Sequence, residues 1–469
     1  MEFAAVIEDA AGSRAAEKNF ITDGGSVCAY PDLPGQLDRI AGFLKAREID
    51  NREAIAVECL NSVPGVLLLC ALLRGGYSFL LIPPAAGAWK PVPRFCRFRL
   101  TVLPAPLGDS WTPEAVFQIQ ANPDYAARSV PGARLMLRTS GSMGASKIAV
   151  HAHSGLMGNA GNCVQKYGFS AESRVAIPVP VAHMYGFGAA LLPALLAGAS
   201  IDLQHNTNLL KYLDREKHFR PTIALATPAV CGMLAKGYKA PRNCYRVFVT
   251  SGQNIEERLF RTFDALIGGR LINQYGSTEM GAISACGLDD SLEVRASSIG
   301  GPMPGVSLRV DGEANSGQLY CRHPYGFEGY LDEDGAWLMR PEPGSWYGTG
   351  DIAALRDDGR LAVLGRAGDA VNRRGYLVTL AEIERTMAAL DPVSEVAVVG
   401  DARENSQGQR VSAFCVLRSG FALDGEQLRQ QCRQALPNYA IPDEVHIVAA
   451  LPLLSSGKTD RQRLAAAAG

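Results

Sequence analysis

Leu137-Arg138-Thr139-Ser140-Gly141-Ser142-Met143-Gly144-Ala145-Ser146-Lys147 is an apolar segment that runs into a loop of glycines and hydroxyls closed by a lysine. Glycines let a backbone come close to an anion, hydroxyl and amide groups bond phosphate oxygens, and the lysine supplies charge. A Walker A loop is excluded, because Gly141 and Gly144 stand too close together and Lys147 lacks a preceding glycine. Taken alone, the stretch reads either as a phosphate cradle or as an ordinary surface loop.

The segments on either side set the fold class. Leu37, Ile40, Ala41 and Leu44 share one helical face. A strand is expected over residues 53–59, with Ile55, Val57 and Cys59 on one side, then a buried helix over 63–73 and a strand over 77–82 stopped by Pro83-Pro84. Strand–helix–strand is the pattern of a largely parallel sheet. It repeats downstream: strand 174–178, helix 189–197, and strands 200–203, 223–226 and 246–250. Residues 300–365 differ. Their short strands are punctuated by Asp311-Gly312, Asp334-Gly335 and Asp358-Gly359, which reads as a β-rich subdomain of hairpins. After a boundary near 365–369 come helix 380–390, strands 395–400 and 411–417, helix 425–435 and strand 445–448; residues 465–468 read as a frayed tail. The expected fold is α/β. A large N-terminal domain (1–366) has mostly parallel sheets flanked by helices plus the β-rich subdomain, and a small α+β domain follows (370–469).

Composition bounds the function. A chain of 469 residues is too long for one core, since domains run to roughly 100–200 residues. Hydrophobic residues make up 47% and charged residues 20%, as in a water-soluble globular protein, and the net charge of −1 gives no bulk attraction to nucleic acid or anionic membrane. The 11 cysteines include no C-x-x-C pair and sit singly, many in apolar runs, so buried thiols in a reducing, cytoplasmic compartment are expected. Glu2, Glu8 and Asp9, with no basic cluster, argue against a signal peptide. The apolar run 63–73 is shorter than the about 20 residues that span a bilayer.

Four further runs carry polar chemistry. Asn273-Gln274-Tyr275-Gly276-Ser277-Thr278-Glu279 joins an aromatic ring, a glycine, hydroxyls and a carboxylate, groups able to stack a base, bond phosphate and hold Mg²⁺. It reads equally as a strand-to-loop turn. Tyr347-Gly348-Thr349-Gly350-Asp351 offers a carboxylate suited to ribose hydroxyls, or a plain glycine turn. Gly365-Arg366-Ala367-Gly368-Asp369-Ala370-Val371-Asn372-Arg373-Arg374-Gly375-Tyr376 is a polar linker or a functional junction. Leu451 to Arg461 sets Lys458 in a Ser/Gly turn, where a lysine is ordinarily only solvated.

In order and spacing, the five runs resemble the core motifs of the adenylate-forming (AMP-binding) superfamily: acyl- and aryl-CoA synthetases, peptide-synthetase adenylation domains and beetle luciferases. The resemblance spans residues 35–464. It implies ATP and Mg²⁺ as cofactors. Thr139, Ser140, Gly141, Ser142, Gly144 and Lys147 would lie over the ATP phosphates. Tyr275, with Gly276, would stack on adenine, Thr278 bond the α-phosphate, and Glu279 ligate Mg²⁺. Asp351 and Arg366 would grip the ribose. Lys458, on a mobile C-terminal lid, would stabilise charge as the adenylate forms. Gly368 and Asp369 would be the hinge, and Gly375 would let a pantetheine arm pass. The sequence departs from the family pattern at Met143, where a hydroxyl residue is usual, at Ile148 and Gly368, and at Asn372, where a lysine is common.

Pro180-Val181-Ala182-His183-Met184-Tyr185-Gly186 resembles the P-x-x-H-x-x-G stretch of acyl- and aryl-CoA synthetases. His183 stands where amino-acid-activating domains carry the aspartate that pairs the substrate ammonium. An acid without an α-amine is therefore expected, aryl or medium-chain acyl. His183 also reads as a packed or capping histidine. The acid pocket is expected near His183, Tyr185, Thr250, Ser251, Gly252, Gly276, Met280 and Gly281. His151 and His153 read as structural. The acceptor is the thiol of CoA or, in trans, of a carrier-protein phosphopantetheine; Arg373 and Arg374 would either attract the CoA phosphates or be solvated. The protein is expected as monomer or homodimer. Two rivals remain at this level: a luciferase-like oxidation of the acyl-AMP, and a nucleotide sensor without catalysis. The presence of Lys458, Glu279 and Asp351 argues against the second.

Overall fold

The structure is a computed structural model. It describes the chain apart from residues 1–2, 14–16, 85–90, 109, 129, 131, 140–146, 206–207, 243, 252–254, 256, 314–315, 368–369, 374–375, 406–407, 439, 454–458 and 469. Contacts divide the chain into two compact units: Met1–Ser307 with Cys321–Tyr347, and Leu308–Tyr320 with Gly348–Gly469. The β-rich segments 308–320 and 348–366 thus group with the C-terminal residues.

Among the described residues, the first unit holds two large sheets. The eight-stranded sheet has parallel Ser78–Ile82, Ala54–Glu58 and Cys96–Val102 at its centre, with Arg134–Thr139 parallel to Ser78–Ile82. Its edges are antiparallel: Lys147–Ala152, Gly329–Leu331 and Trp337–Met339 on one side, Phe117–Ala121 on the other. The nine-stranded sheet has a parallel core of Arg270–Ser277, Val247–Ser251, Ile223–Ala226, Arg174–Ile177 and Ser200–Leu203. The helix Val63–Arg74 follows strand Ala54–Glu58. The Ser62 hydroxyl accepts from the Gly65 N–H at 3.3 Å to start it, Pro64 fits its first turn, and its residues up to Leu73 are buried. Helix His153–Tyr167 packs against strands of both sheets and ties them together.

The second unit carries a four-stranded sheet of Ser307–Glu313, Ser316–Arg322, Tyr347–Leu355 and Leu361–Arg366. A further sheet is built on Val393–Asn405 and Gly408–Leu417. Val371, Ile383, Met387, Val398, Val411, Leu428 and Cys432 form its core with helices Leu380–Ala388 and Gly425–Ala435.

Three expectations change. Asp311-Gly312 lies inside a strand, not at a turn; a Cβ on Gly312 would sit 2.1 Å from the Ser316 carbonyl, so glycine permits the cross-strand approach. The helix expected over 189–197 starts earlier, as a π-helical turn Tyr185–Leu191 that passes into Leu192–Leu196. Residues 465–468 are not a frayed tail: they end helix Arg461–Ala468. Alanine is the strongest helix former, and Leu464 anchors the helix on Ala397, Val399 and Phe414. The eleven thiols are free, and only Cys244 is partly exposed. Among the described residues no helix is long and apolar enough to cross a membrane.

Candidate active site

The described ends of the phosphate-loop motif lie on two antiparallel strands. Thr139 and Lys147 face each other across strands Arg134–Thr139 and Lys147–Ala152, and the Thr139 hydroxyl donates to the Lys147 carbonyl at 3.3 Å. Ser140, Gly141, Ser142, Met143 and Gly144 lie outside the described residues. Lys147 is exposed, and its Nζ stands 5.4 Å from the centre of the Tyr330 ring, a cation–π distance.

Thr278 and Glu279 occupy the turn between strands Arg270–Ser277 and Gly281–Ala285 of the nine-stranded sheet. Two glycines shape it. A Cβ on Gly276 would lie 2.3 Å from the Gly281 carbonyl, and Gly281 itself has φ +64°. Above Gly281 stands Asn159 of helix His153–Tyr167. Its carboxamide oxygen accepts from the Ala282 N–H at 3.0 Å, and its nitrogen donates to the Gly188 carbonyl at 3.1 Å.

Residues attached to the other sheet grip this turn. The His151 Nε2 bonds the Thr278 carbonyl at 2.8 Å, so it carries the proton. Burial pushes the His151 imidazole down to about 4, which keeps it neutral at physiological pH. The Phe327 N–H donates to the Glu279 carbonyl at 2.7 Å. The Tyr330 hydroxyl donates to Glu279 Oε1 at 2.6 Å and lies 3.1 Å from the Tyr347 hydroxyl. The Phe327 ring meets the rings of Tyr330 and Tyr347 edge-on, with centroids 4.9 and 5.2 Å apart. Burial, together with Glu279 and Tyr347, holds the Tyr330 phenol well above its ordinary pKa, so it stays a donor.

Tyr275 is half-buried on the same strand. Two residues earlier, the buried Asn273 Oδ1 has no hydrogen-bond partner among the described residues. A buried acceptor left open is costly, and an amine on a stacked base is a group that would satisfy it. Glu279 offers one hard carboxylate, with Oε1 engaged by Tyr330. That suits Mg²⁺, which uses one or two carboxylates alongside phosphate oxygens rather than a protein cage. No cluster of three or more His, Cys, Asp or Glu among the described residues is placed to cage a metal.

The expected acid-pocket residues come together only in part. Residues 178–183 leave the end of strand Arg174–Ile177 under the control of Asn61, which the sequence did not single out. Its amide donates to the carbonyls of Ile177 (3.2 Å), Val179 (2.8 Å) and Gln204 (3.1 Å), and its oxygen accepts from the Val181 N–H at 2.8 Å. His183 emerges from this knot exposed. A Cβ on Gly186 would lie 2.2 Å from the Pro180 carbonyl, so the next turn needs glycine. The Tyr185 hydroxyl bonds the Val249 carbonyl at 2.8 Å and lies 3.3 Å from that of Ala226, on two neighbouring parallel strands. Ser251 ends one of these strands, Met280 is buried, Thr250 is fully buried, and Gly252 lies outside the described residues.

In the second unit, Asp351 and Arg366 are cross-strand partners. The Arg366 Nε is 3.0 Å from Asp351 Oδ1, and Nη1 donates to the Thr349 carbonyl at 3.1 Å. The Asp351 N–H donates to the Thr349 hydroxyl at 3.1 Å, which fixes the backbone that carries this buried carboxylate. Gly368, Asp369, Arg374, Gly375 and Lys458 lie outside the described residues. Arg373 is neither solvated nor open to a ligand. It is fully buried, and Nη1 and Nη2 lie 2.7 and 3.2 Å from the two Asp443 oxygens.

Comparison with known proteins bears on both units. The family model for AMP-binding enzymes matches residues 125–331, and that for the AMP-binding enzyme C-terminal domain matches residues 382–458. An indoleacetate–CoA ligase of Aromatoleum aromaticum is 27% identical over 473 residues, covering 92% of this chain and 91% of that protein. A salicylyl-CoA synthase / salicylate adenylyltransferase of a Streptomyces species is 28% identical over 346 residues, 70% of this chain and 62% of that protein. The ATP-bound crystal structure of MatB from Rhodopseudomonas palustris aligns over 100% of this chain and 99% of its own with a TM-score of 0.81. At 22% identity that likeness is one of fold.

Proposed function

Since the chain belongs to the AMP-binding enzyme family in both matched segments, we propose that it is an acid–thiol ligase. It uses ATP to convert a carboxylic acid to an acyl-adenylate, releasing pyrophosphate, and then passes the acyl group to the thiol of coenzyme A. The observation that carries this reading is the meeting of the phosphate-loop lysine and the Thr278–Glu279 turn, from different sheets, around Tyr330.

The chemistry follows from the groups present. A carboxylate is a poor electrophile. Its oxygen attacks the α-phosphorus, the bond to the bridging oxygen breaks, and pyrophosphate leaves; the acyl carbon then carries AMP as leaving group. In this reading Tyr275 stacks the adenine, Asn273 accepts from its amine, and Thr278 bonds the α-phosphate. Lys147 and the loop 139–144 hold the β- and γ-phosphates. Asp351, steadied by Arg366, takes the ribose hydroxyls. Mg²⁺, held by the phosphates and Glu279, would neutralise charge on the phosphate oxygens. Lys458 supplies a cation where charge develops in this first step. We further infer that residues 370–469 act as a lid turning at Gly368-Asp369, so that the second step meets a different face, with Gly375 beside the pantetheine arm.

The acid is proposed to be aryl. His183 rather than an acidic residue opens the acid-pocket stretch, leaving no local partner in the sequence for a substrate ammonium, and the two curated relatives above are named for indoleacetate and salicylate. A carrier-protein phosphopantetheine is the second reading for the acceptor. The burial of Arg373 against Asp443 favours weighing it, because that burial removes one of two cations considered for the CoA phosphates. The free, mostly buried thiols support a cytoplasmic setting.

The test is acid-dependent pyrophosphate release with Mg²⁺ and ATP across aryl, fatty and amino acids, followed by thioester formation with CoA or a phosphopantetheinylated carrier. Release confined to aryl acids, with CoA consumed, supports the reading. Oxygen uptake in place of thioester would establish the luciferase-like alternative, and ATP binding without release from any acid would favour a sensor.

A further inference from the structure

The geometry points to Tyr330 as a positioning residue that fixes the Glu279 carboxylate for metal-bound ATP, a role that rests on the adenylating function proposed above. Glu279 lies on a turn of the nine-stranded sheet, whereas Tyr330 lies on strand Gly329–Leu331 of the eight-stranded one, where it pairs with Ala149. A half-buried carboxylate on a turn has rotamer freedom, and a metal ligand with such freedom binds weakly until ordered. Here the carboxylate is ordered in advance. Its backbone is held by the Phe327 N–H at 2.7 Å and, through the preceding residue, by His151 at 2.8 Å. Its Oε1 is held by the Tyr330 hydroxyl at 2.6 Å.

Tyr330 is itself fixed. Its phenolic oxygen lies 3.1 Å from that of Tyr347, its ring packs on Phe327 at 4.9 Å, and the Lys147 ammonium rests over it at 5.4 Å. One side chain thus sets both the anion that meets the metal and the resting place of the cation that meets the phosphates.

Tyr330→Phe tests this with little disturbance, since the ring and its packing are retained. ATP binding to the intact protein is measured by equilibrium dialysis across a Mg²⁺ series without acid, in wild type, Tyr330→Phe, Glu279→Gln and the double variant, alongside thermal midpoints. Losing a hydrogen bond that orients a metal-binding carboxylate typically weakens metal binding by about 10- to 100-fold. The half-saturating Mg²⁺ concentration should therefore rise about tenfold in Tyr330→Phe, with metal-free ATP binding and thermal midpoint unchanged. In the Glu279→Gln background the same substitution should have no further effect. In turnover, the rise should appear in the Mg²⁺ dependence of KM, with kcat recovered at saturating metal. Unchanged Mg²⁺ dependence in Tyr330→Phe, or an effect that persists in Glu279→Gln, overturns the assignment while leaving the function intact. Failure of the wild type to bind ATP with Mg²⁺ refutes the adenylating function itself.

Discussion

Replacing Arg373 by Met should loosen the C-terminal sheet without touching the chemistry. The guanidinium is fully buried and bonds both oxygens of Asp443, whose side chain is 13% exposed. Asp443 Oδ2 also accepts from the Val411 N–H at 2.8 Å, at the entry to the central strand pair. Arg373→Met leaves a carboxylate in low dielectric without its cation. Breaking a buried pair on one side costs about 3–5 kcal/mol. Arg373→Met with Asp443→Asn removes the stranded charge and keeps an acceptor for Val411, so about 2 kcal/mol should return as coupling. The protein has two units and one unfolding midpoint would blend them, so local opening is the better measure. Hydrogen exchange over residues 393–417 should speed up by about two to three and a half decades in the single variant, at about 1.4 kcal/mol per decade. It should recover substantially in the double variant. The KM for CoA should be unchanged in the double variant. A raised KM for CoA with unaltered exchange would refute the structural role and return Arg373 to the acceptor site.

Three other outcomes are expected. Lys458→Ala should lower pyrophosphate release about 10²- to 10³-fold while thioester formation from supplied acyl-AMP falls far less; equal losses in both steps would count against its assigned role. Gly281→Ala should cost about 1–2 kcal/mol for the left-handed backbone alone. A further cost arises because its Cβ would meet Asn159 Oδ1 at 2.7 Å, and a thermal midpoint equal to wild type would contradict this. His153 is buried, and burial, reinforced by Arg134, lowers it to about 4 from an ordinary value near 6.5. Between those values the unfolded chain binds the proton first. His153 therefore makes stability fall with pH from about 6.5 to about 4, by about 3 kcal/mol in total. Urea midpoints of His153→Leu should depend less steeply on pH than those of wild type, and parallel profiles would rule the contribution out.

What could be read from the chain was what neighbouring residues decide. The run 63–73 announced a buried helix because it is apolar on every face, and strand–helix–strand around it implied parallel pairing, which the register of Ala54–Glu58 with Ser78–Ile82 bears out. Three-residue strands such as Phe20–Thr22 and Val27–Ala29 gave no periodicity to find. Arg373 looked like a surface cation because its partner, Asp443, is 70 residues away. Tyr330 and Asn61 were invisible for the same reason. Each sits in unremarkable local sequence, and each acts on a segment that only the assembled sheets bring near. Asp311-Gly312 misled because a glycine that serves close strand approach looks the same as one that serves a turn.

The Thr278–Glu279 turn also bears on how the protein matures. Its bonds reach back 127 residues to His151 and forward 51 to Tyr330. A chain emerging from the ribosome presents the phosphate loop and the turn well before Phe327 and Tyr330 are made. Contacts of such separation form late, after the loops between them have closed. A nascent or truncated chain ending near residue 300 would hold both signature motifs yet lack the clasp on Glu279, and so would be poorly able to engage metal-bound ATP. The clasp on Glu279 is therefore complete only once strand Gly329–Leu331 has joined the sheet.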